Sequence, residues 1–203
     1  IEDAIAHQSF LTEPHAIADG DAVAALAAAP HRLAGALHVG GQEHFYLEMQ
    51  CAYVHRDTAG GYVVHSSTQH PSETQATVAH VLGVPAHRVV CESLRMGGAF
   101  GGKESQANLF AAVAALGCQV TGRAVVVRLD RRRDLTITGR RHPFRARYEV
   151  GFDGAGRLLA LDVELISDGG FSLDLSQAIL GRPLSHVDNC YPIPALRLQT
   201  RAA

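Results

Sequence analysis

The sequence is poor in cysteine, nearly without net charge and free of long apolar runs. Its four cysteines, Cys51, Cys91, Cys118 and Cys190, lie far apart with no C-x-x-C spacing. That argues against a zinc ribbon, a ferredoxin-type cluster and a dense secreted disulfide scaffold, and makes a reducing cytoplasm the expected compartment. Eighteen basic and twenty acidic side chains leave a formal charge of −2 and a pI near 6.7. Such a balance gives no electrostatic reason to expect nucleic acid or an anionic membrane as the main partner. No apolar run reaches the roughly 18 residues that span a bilayer. The opening IEDAIAHQSF lacks the basic and then apolar regions of a targeting signal. What is present suffices for a core: 203 residues, 47% hydrophobic and 19% charged, describe a soluble globular chain of one or two domains. The chain starts with Ile rather than Met and stops inside the alternating run LRLQTRAA, so it is expected to be a piece of a longer one.

Residues 1–35 mix an Ala-rich stretch (21–30) with Pro14, Pro30 and Gly20, as expected of a peripheral lead-in. From 36 the texture changes. The segment 36–57 reads as two strand-like runs around Gly40 and Gly41, and GYVVHSST (61–68) reads as a third strand. His70, Pro71, Ser72 and Glu73 then open a helix that closes at Gly83, with Val78, Val81 and Leu82 on its core face. HRVVCESL (87–94) is a strand, RMGGAFGGK (95–103) a glycine loop, and ESQANLFAAVAAL (104–116) an apolar helix ended by Gly117. RAVVVRL (123–129) is a short strand. The alternating runs FRARYEVGFD and RLLALDVELISD flank Asp153, Gly154, Ala155 and Gly156, a hairpin signal. A short helix is expected around 174–181. Strands and helices interleave without regular βαβ repetition, which places the chain in the α+β class.

The glycine loop carries the most chemistry. Gly97, four residues, Gly102 and Lys103 match the spacing of a phosphate-binding loop, but Glu104 stands where Ser or Thr must supply a hydroxyl to magnesium. Two readings stay open: a tight strand-to-helix turn that allows close packing, or backbone N–H groups presented to a polar or anionic cofactor with Phe100 as a wedge against it. Glu104 is likewise either a carboxylate in the helix's first turn, satisfied by the dipole, or a ligand-facing acid in a glycine-lined cavity. In QEHFYLE (42–48), alternation along a strand would put His44 and Tyr46 on one face and Glu43 and Phe45 on the other. No metal set can then converge locally, and a buried structural motif is expected. The twelve histidines are dispersed without metal-ligand spacing. RRRD (131–134) and GRRH (139–142) read as a solvated or subunit-contacting face.

Taken together, GGQEHFYLE, SSTQHPSETQATVAHVLGVP, RMGGAFGGKE, TGRRHPFRARYEVGF, LSQAIL and HVDNCYPIP resemble the molybdenum-cofactor subunit of xanthine dehydrogenases, within the xanthine oxidase and aldehyde oxidase family. The matches run in order from about Gly35 onward. The resemblance implies that 36–203 form the first, N-terminal part of the molybdopterin-cofactor-binding domain, incomplete at the C-terminus, after a 1–35 lead-in. It implies a molybdenum ion held by a molybdopterin dithiolene, with hydroxide attack on an electron-poor carbon and hydride passing to a sulfido group. Gln69 matches the glutamine near an oxo ligand of molybdenum. Gly98, Phe100 and Gly101 match the cofactor-lining loop, so that Gln69 and Phe100 belong to the metal's environment rather than ligating it directly. Glu104 matches the purine-binding carboxylate, and Arg182 the arginine at the opposite end of the purine, where it would stabilise developing negative charge. Having both favours hypoxanthine or xanthine over a general aldehyde as substrate. The same resemblance implies 2Fe-2S clusters and FAD on a partner iron–sulfur/flavin subunit or other domains, NAD as the final acceptor and a dimer of heterodimers in the cytoplasm. The general base is expected outside this chain, which is expected to be inactive alone. The alternatives are an aldehyde or N-heterocycle oxidase of the same family, and a free-standing, non-catalytic domain.

Overall fold

A computed structural model describes residues 1–203. Along the chain come helix α1 (Glu2–Ala6), strand β1 (His15–Asp19), α2 (Ala22–Ala28), β2 (His31–Val39), β3 (Cys51–Arg56) and β4 (Tyr62–Ser66). Then follow α3 (Pro71–Leu82), β5 (Val89–Glu92), α4 (Gln106–Thr121), β6 (Val125–Arg128) and α5 (Arg131–Ile137). The last elements are β7 (Phe144–Phe152), β8 (Leu158–Ser167), α6 (Ser176–His186) and β9 (Ala195–Ala202). The architecture is α+β, and the chain packs as two compact units, Glu43–Arg141 and Ile1–Gln42 with His142–Ala203.

In the unit Glu43–Arg141 a four-stranded sheet has the order β5-β4-β3-β6, with β4 and β5 parallel and the other pairs antiparallel. Parallel neighbours need a crossover, and α3 supplies it. His70 is the N-cap of α3, Pro71 occupies the first turn, and Gly83 closes the helix in the left-handed region at φ 67°. The core joins Val54, Val64 and Val89 of the sheet to Val78 and Leu82 of α3 and to Ala111, Ala114, Ala115 and Cys118 of α4. Val81, expected on that face, is 39% exposed, and Thr74 and Ala79 are buried instead. Helix α4 does not stop at Gly117. It runs one turn further to Gly122 (φ 67°), while a Cβ on Gly117 would stand 3.3 Å from Val125 Cγ1. That glycine serves the approach of β6, not chain reversal.

Two further expectations change. Residues 42–48 are not a strand: Phe45 holds φ 51°, which breaks the two-residue alternation, so Tyr46 is buried while Phe45 is 68% exposed. The charged run after β6 folds as α5, capped by Asp130, whose side chain accepts from Arg133 N–H. Asp134 within that run is fully buried rather than solvated.

The other unit is built on a five-stranded sheet of order β1-β9-β8-β7-β2, with β8 and β9 parallel and the rest antiparallel. The β7–β8 hairpin turns where expected, because Asp153 Oδ1 accepts from the N–H groups of Ala155 and Arg157. Alternation on β9 buries Leu198, Thr200 and Ala202. Helix α6 connects β8 to β9 and extends to His186, past the expected end at 181, so that Arg182 lies on it. The Ala-rich stretch of the first 35 residues forms α2, where Ala22 and Leu26 pack on Ala160 and Ala195. No helix is long and apolar enough to cross a membrane.

Candidate functional site

The segment from Arg95 to Ser105 joins β5 to α4. Gly98 (φ 93°) and Gly101 (φ 92°) take backbone angles that cost little only for glycine. A Cβ on Gly97 would stand 2.6 Å from Glu48 Cβ, and one on Gly102 2.8 Å from the His44 ring. Phe100, at φ 54° with its ring 63% exposed, is an outlier for a bulky residue, of the kind that collects at ligand sites. The N–H groups of Gly98, Ala99 and Phe100 have no hydrogen-bond partner in the chain. The loop is thus a row of backbone donors with few side chains over it.

Gln69, at the joint between β4 and α3, faces this loop. Its N–H donates to Lys103 O at 2.9 Å. Its Oε1 accepts from the N–H groups of Gly101 (3.1 Å) and Lys103 (3.2 Å). Two N–H donors can be met only by the amide oxygen, so Nε2 is left as a free donor at an exposed residue. The backbone around it is held by Thr68, whose hydroxyl donates to Lys103 O (3.3 Å) and accepts from His70 N–H (3.0 Å). Thr74 donates its hydroxyl proton to Asn108 Oδ1 (2.7 Å) and lies 3.1 Å from Thr68 Oγ1, tying α3 to α4 at this point.

Beneath the loop lie two polar networks. In the first, Lys103, fully buried, donates from Nζ to Glu48 O (2.6 Å) and Ser67 Oγ (2.7 Å) and stands 3.5 Å from Glu48 Oε2. Glu48 Oε2 accepts from Ser67 Oγ (2.8 Å) and Gly97 N–H (2.9 Å). Burial pushes the Glu48 carboxyl up, but the bonds from Gly97 and Ser67 and the Lys103 charge outweigh it and hold it below its ordinary value. Burial lowers the Lys103 ammonium, against the pull of Glu48. In the second network, Asp134 accepts from Tyr46 Oη (2.6 Å) and Gln50 N–H (2.7 Å), and Gln50 Nε2 donates to Gly102 O (2.9 Å). Burial and then the Asp134 bond push the Tyr46 hydroxyl up to about 12. Lys103 is therefore spent inward, which excludes the phosphate-loop role its spacing resembles.

Of the residues singled out from the sequence, Gln69, Gly98, Phe100, Gly101 and Glu104 belong to the unit Glu43–Arg141; the last four lie in the Arg95–Ser105 segment, and Gln69 faces it. Glu104 is not in a helical first turn. It precedes Ser105, the N-cap of α4, because the chain is still turning out of the glycine loop, and its half-buried carboxylate has no partner in the chain. Arg182 is an exposed residue of α6 in the other unit, without an ion pair. Sequence reasoning missed Glu48, Ser67, Tyr46, Gln50 and Asp134. Lys103 offered the one available signal, a cation placed where phosphate chemistry made no sense.

No group of three or more His, Cys, Asp or Glu side chains converges as a metal site, and the cysteines are free thiols. The donor set fits a group rich in oxygen and negative charge, approached by backbone N–H groups and one amide rather than ligated by side chains. A molybdopterin meets that description. Residues 6–203 match the family model of the molybdopterin cofactor-binding domain. The chain is 48% identical over 198 residues to a xanthine dehydrogenase/oxidase of Felis catus, and 44% identical over 199 residues to a xanthine dehydrogenase of Drosophila subobscura. Those alignments cover 97% and 98% of this chain, which spans about 15% of the length of either relative. Its fold is that of an aldehyde oxidoreductase from Desulfovibrio gigas, at a TM-score of 0.86 and 24% identity over 94% of this chain and 21% of that one.

Proposed function

The chain belongs to the molybdopterin cofactor-binding domain family, and from that premise we propose that it forms one wall of the active site of a molybdenum hydroxylase acting on hypoxanthine and xanthine. What carries the reading is Gln69: its carbonyl is committed to the glycine loop and its amide N–H is free to meet a cofactor oxygen. Support for the purine substrate comes from the two relatives at 48% and 44% identity.

When bound, the molybdenum–molybdopterin group supplies a water-derived oxygen for the ring carbon and accepts the two electrons that leave it. Gln69 and the N–H groups of Gly98 and Phe100 would hold that group, with the Phe100 ring beside it. Glu104 hydrogen-bonds the purine ring nitrogens and so fixes which carbon is presented, a contribution of orientation. Arg182 stabilises the negative charge that nucleophilic attack pushes into the heterocycle, and its planar, permanently charged head suits a ring carbonyl oxygen. On the same reading the electrons pass to 2Fe-2S clusters and FAD on a partner subunit or other domains, with NAD as acceptor, in a cytoplasmic dimer of heterodimers.

The test is made in the complete enzyme. Glu104→Val and Arg182→Met are each expected to lower kcat/KM for xanthine by about tenfold or more, the worth of a hydrogen bond to a charged group. Unchanged xanthine hydroxylation in both variants overturns the assignment of these two residues. A wild-type enzyme that oxidises aldehydes faster than purines overturns the purine reading and points to the aldehyde branch of the family.

A further inference from the structure

Lys103 is the only lysine among eighteen basic side chains, and it is fully buried. Stability alone does not account for it. A methionine would fill much the same volume without burying a charge, and such replacements are often neutral or stabilising. An arginine would bring five donors in a rigid fork to a site whose acceptors, Glu48 O and Ser67 Oγ, sit 2.6 and 2.7 Å from a single nitrogen. The site is shaped for a compact ammonium.

What that ammonium holds is the backbone of its own residue, and that backbone holds Gln69. Lys103 O accepts from Gln69 N–H, and Lys103 N–H donates to Gln69 Oε1. The side chain anchors this peptide to Glu48 and Ser67, while Glu48 grips the other end of the loop through Gly97 in both directions, accepting from its N–H (2.9 Å) and donating to its carbonyl (3.1 Å). We propose that Lys103, with Glu48 and Ser67, is a positioning residue that sets the carbonyl-in, amide-out orientation of Gln69 toward the cofactor. The proposal rests on the molybdopterin reading above.

Ser67→Ala, Lys103→Met and Gln69→Ala would be made in the complete, cofactor-loaded enzyme, singly and as the pair Lys103→Met with Gln69→Ala. The readouts are the Mo(V) electron paramagnetic resonance spectrum, the bound pterin per protein, and kcat and KM for xanthine. Gln69→Ala is expected to shift the Mo(V) spectrum. Lys103→Met and Ser67→Ala are expected to shift it in the same direction, with kcat lowered about tenfold for Lys103→Met and KM unchanged. In the Gln69→Ala background, Lys103→Met adds nothing further, as a residue acting through Gln69 must. A Mo(V) spectrum untouched by Ser67→Ala and Lys103→Met while Gln69→Ala shifts it overturns this inference alone, as do additive effects in the pair. A spectrum untouched by Gln69→Ala at full pterin content overturns the cofactor reading together with it. Should Lys103→Met fail to fold, Ser67→Ala, which removes one hydroxyl from the ammonium's shell, decides the matter by itself.

Discussion

Replacing Tyr46 with phenylalanine removes one oxygen from the buried network under the glycine loop, and its cost should depend on pH in a defined way. In the wild type the hydroxyl donates to Asp134 at 2.6 Å and accepts from Gln50 Nε2 at 3.2 Å. Without it, Asp134 Oδ1 keeps only the 3.4 Å contact from Thr138 Oγ1. A lost hydrogen bond to a buried charge costs about 1.5–3 kcal/mol at neutral pH. Burial and the Asp134 bond raise the folded Tyr46 hydroxyl from 10 to about 12. Its contribution is therefore complete below pH ~10 and is lost as the pH rises to ~12, because the unfolded chain ionises first. That displacement corresponds to about 3 kcal/mol, similar to the hydrogen-bond figure. Phenylalanine has nothing to ionise. The gap between wild type and Tyr46→Phe, measured by urea denaturation followed by circular dichroism from pH 7 to 12, should be about 2–3 kcal/mol at pH 7 to 9 and close toward zero near pH 12. A gap that stays constant across that range would refute the coupling of Tyr46 to Asp134.

Glycine positions offer a second comparison: Gly102→Ala would bring a Cβ within 2.8 Å of His44 and 2.9 Å of the tethered Tyr46 ring, and thermal unfolding should show a loss of about 1–3 kcal/mol. Gly181, inside α6 with open space around it, should instead gain about 0.5–1 kcal/mol as alanine. Ala115→Leu, at a fully buried position of α4 against the sheet, should lose about 1–3 kcal/mol by overpacking in the same assay.

How much was legible beforehand depended on whether the physics was local. Helix α3 was readable at both ends, because Pro71 and Gly83 act through their own backbone angles. The β7–β8 hairpin was readable because Asp153 satisfies the turn within five residues. The end of helix α4 at Gly122 rather than Gly117 is not legible locally, because the strand that needs the missing Cβ of Gly117, β6, comes later in the chain, and nothing near Gly117 announces it. The break in residues 42–48 is hidden for a related reason: Phe45 takes a positive φ and Tyr46 beside it bonds an aspartate 88 positions away. The candidate site divides along the same line. Gln69, Gly98, Phe100, Gly101 and Glu104 could be named from the motifs that resemble the family. That Glu104 lies ahead of the helix, and that Lys103 turns inward, could not.

From the sequence alone came the family, the α+β class and the candidate site residues, because these are carried by contiguous motifs whose glycines, prolines and caps work over a few residues. Tertiary structure alone decided what those motifs are fastened to. Glu48, Ser67, Lys103 and Asp134 are scattered over more than eighty residues and are polar or charged side chains of the kind that read as surface in a sequence. Only the fold, by bringing them together out of water, turns them into the frame beneath the loop and leaves the amide of Gln69 as its free donor.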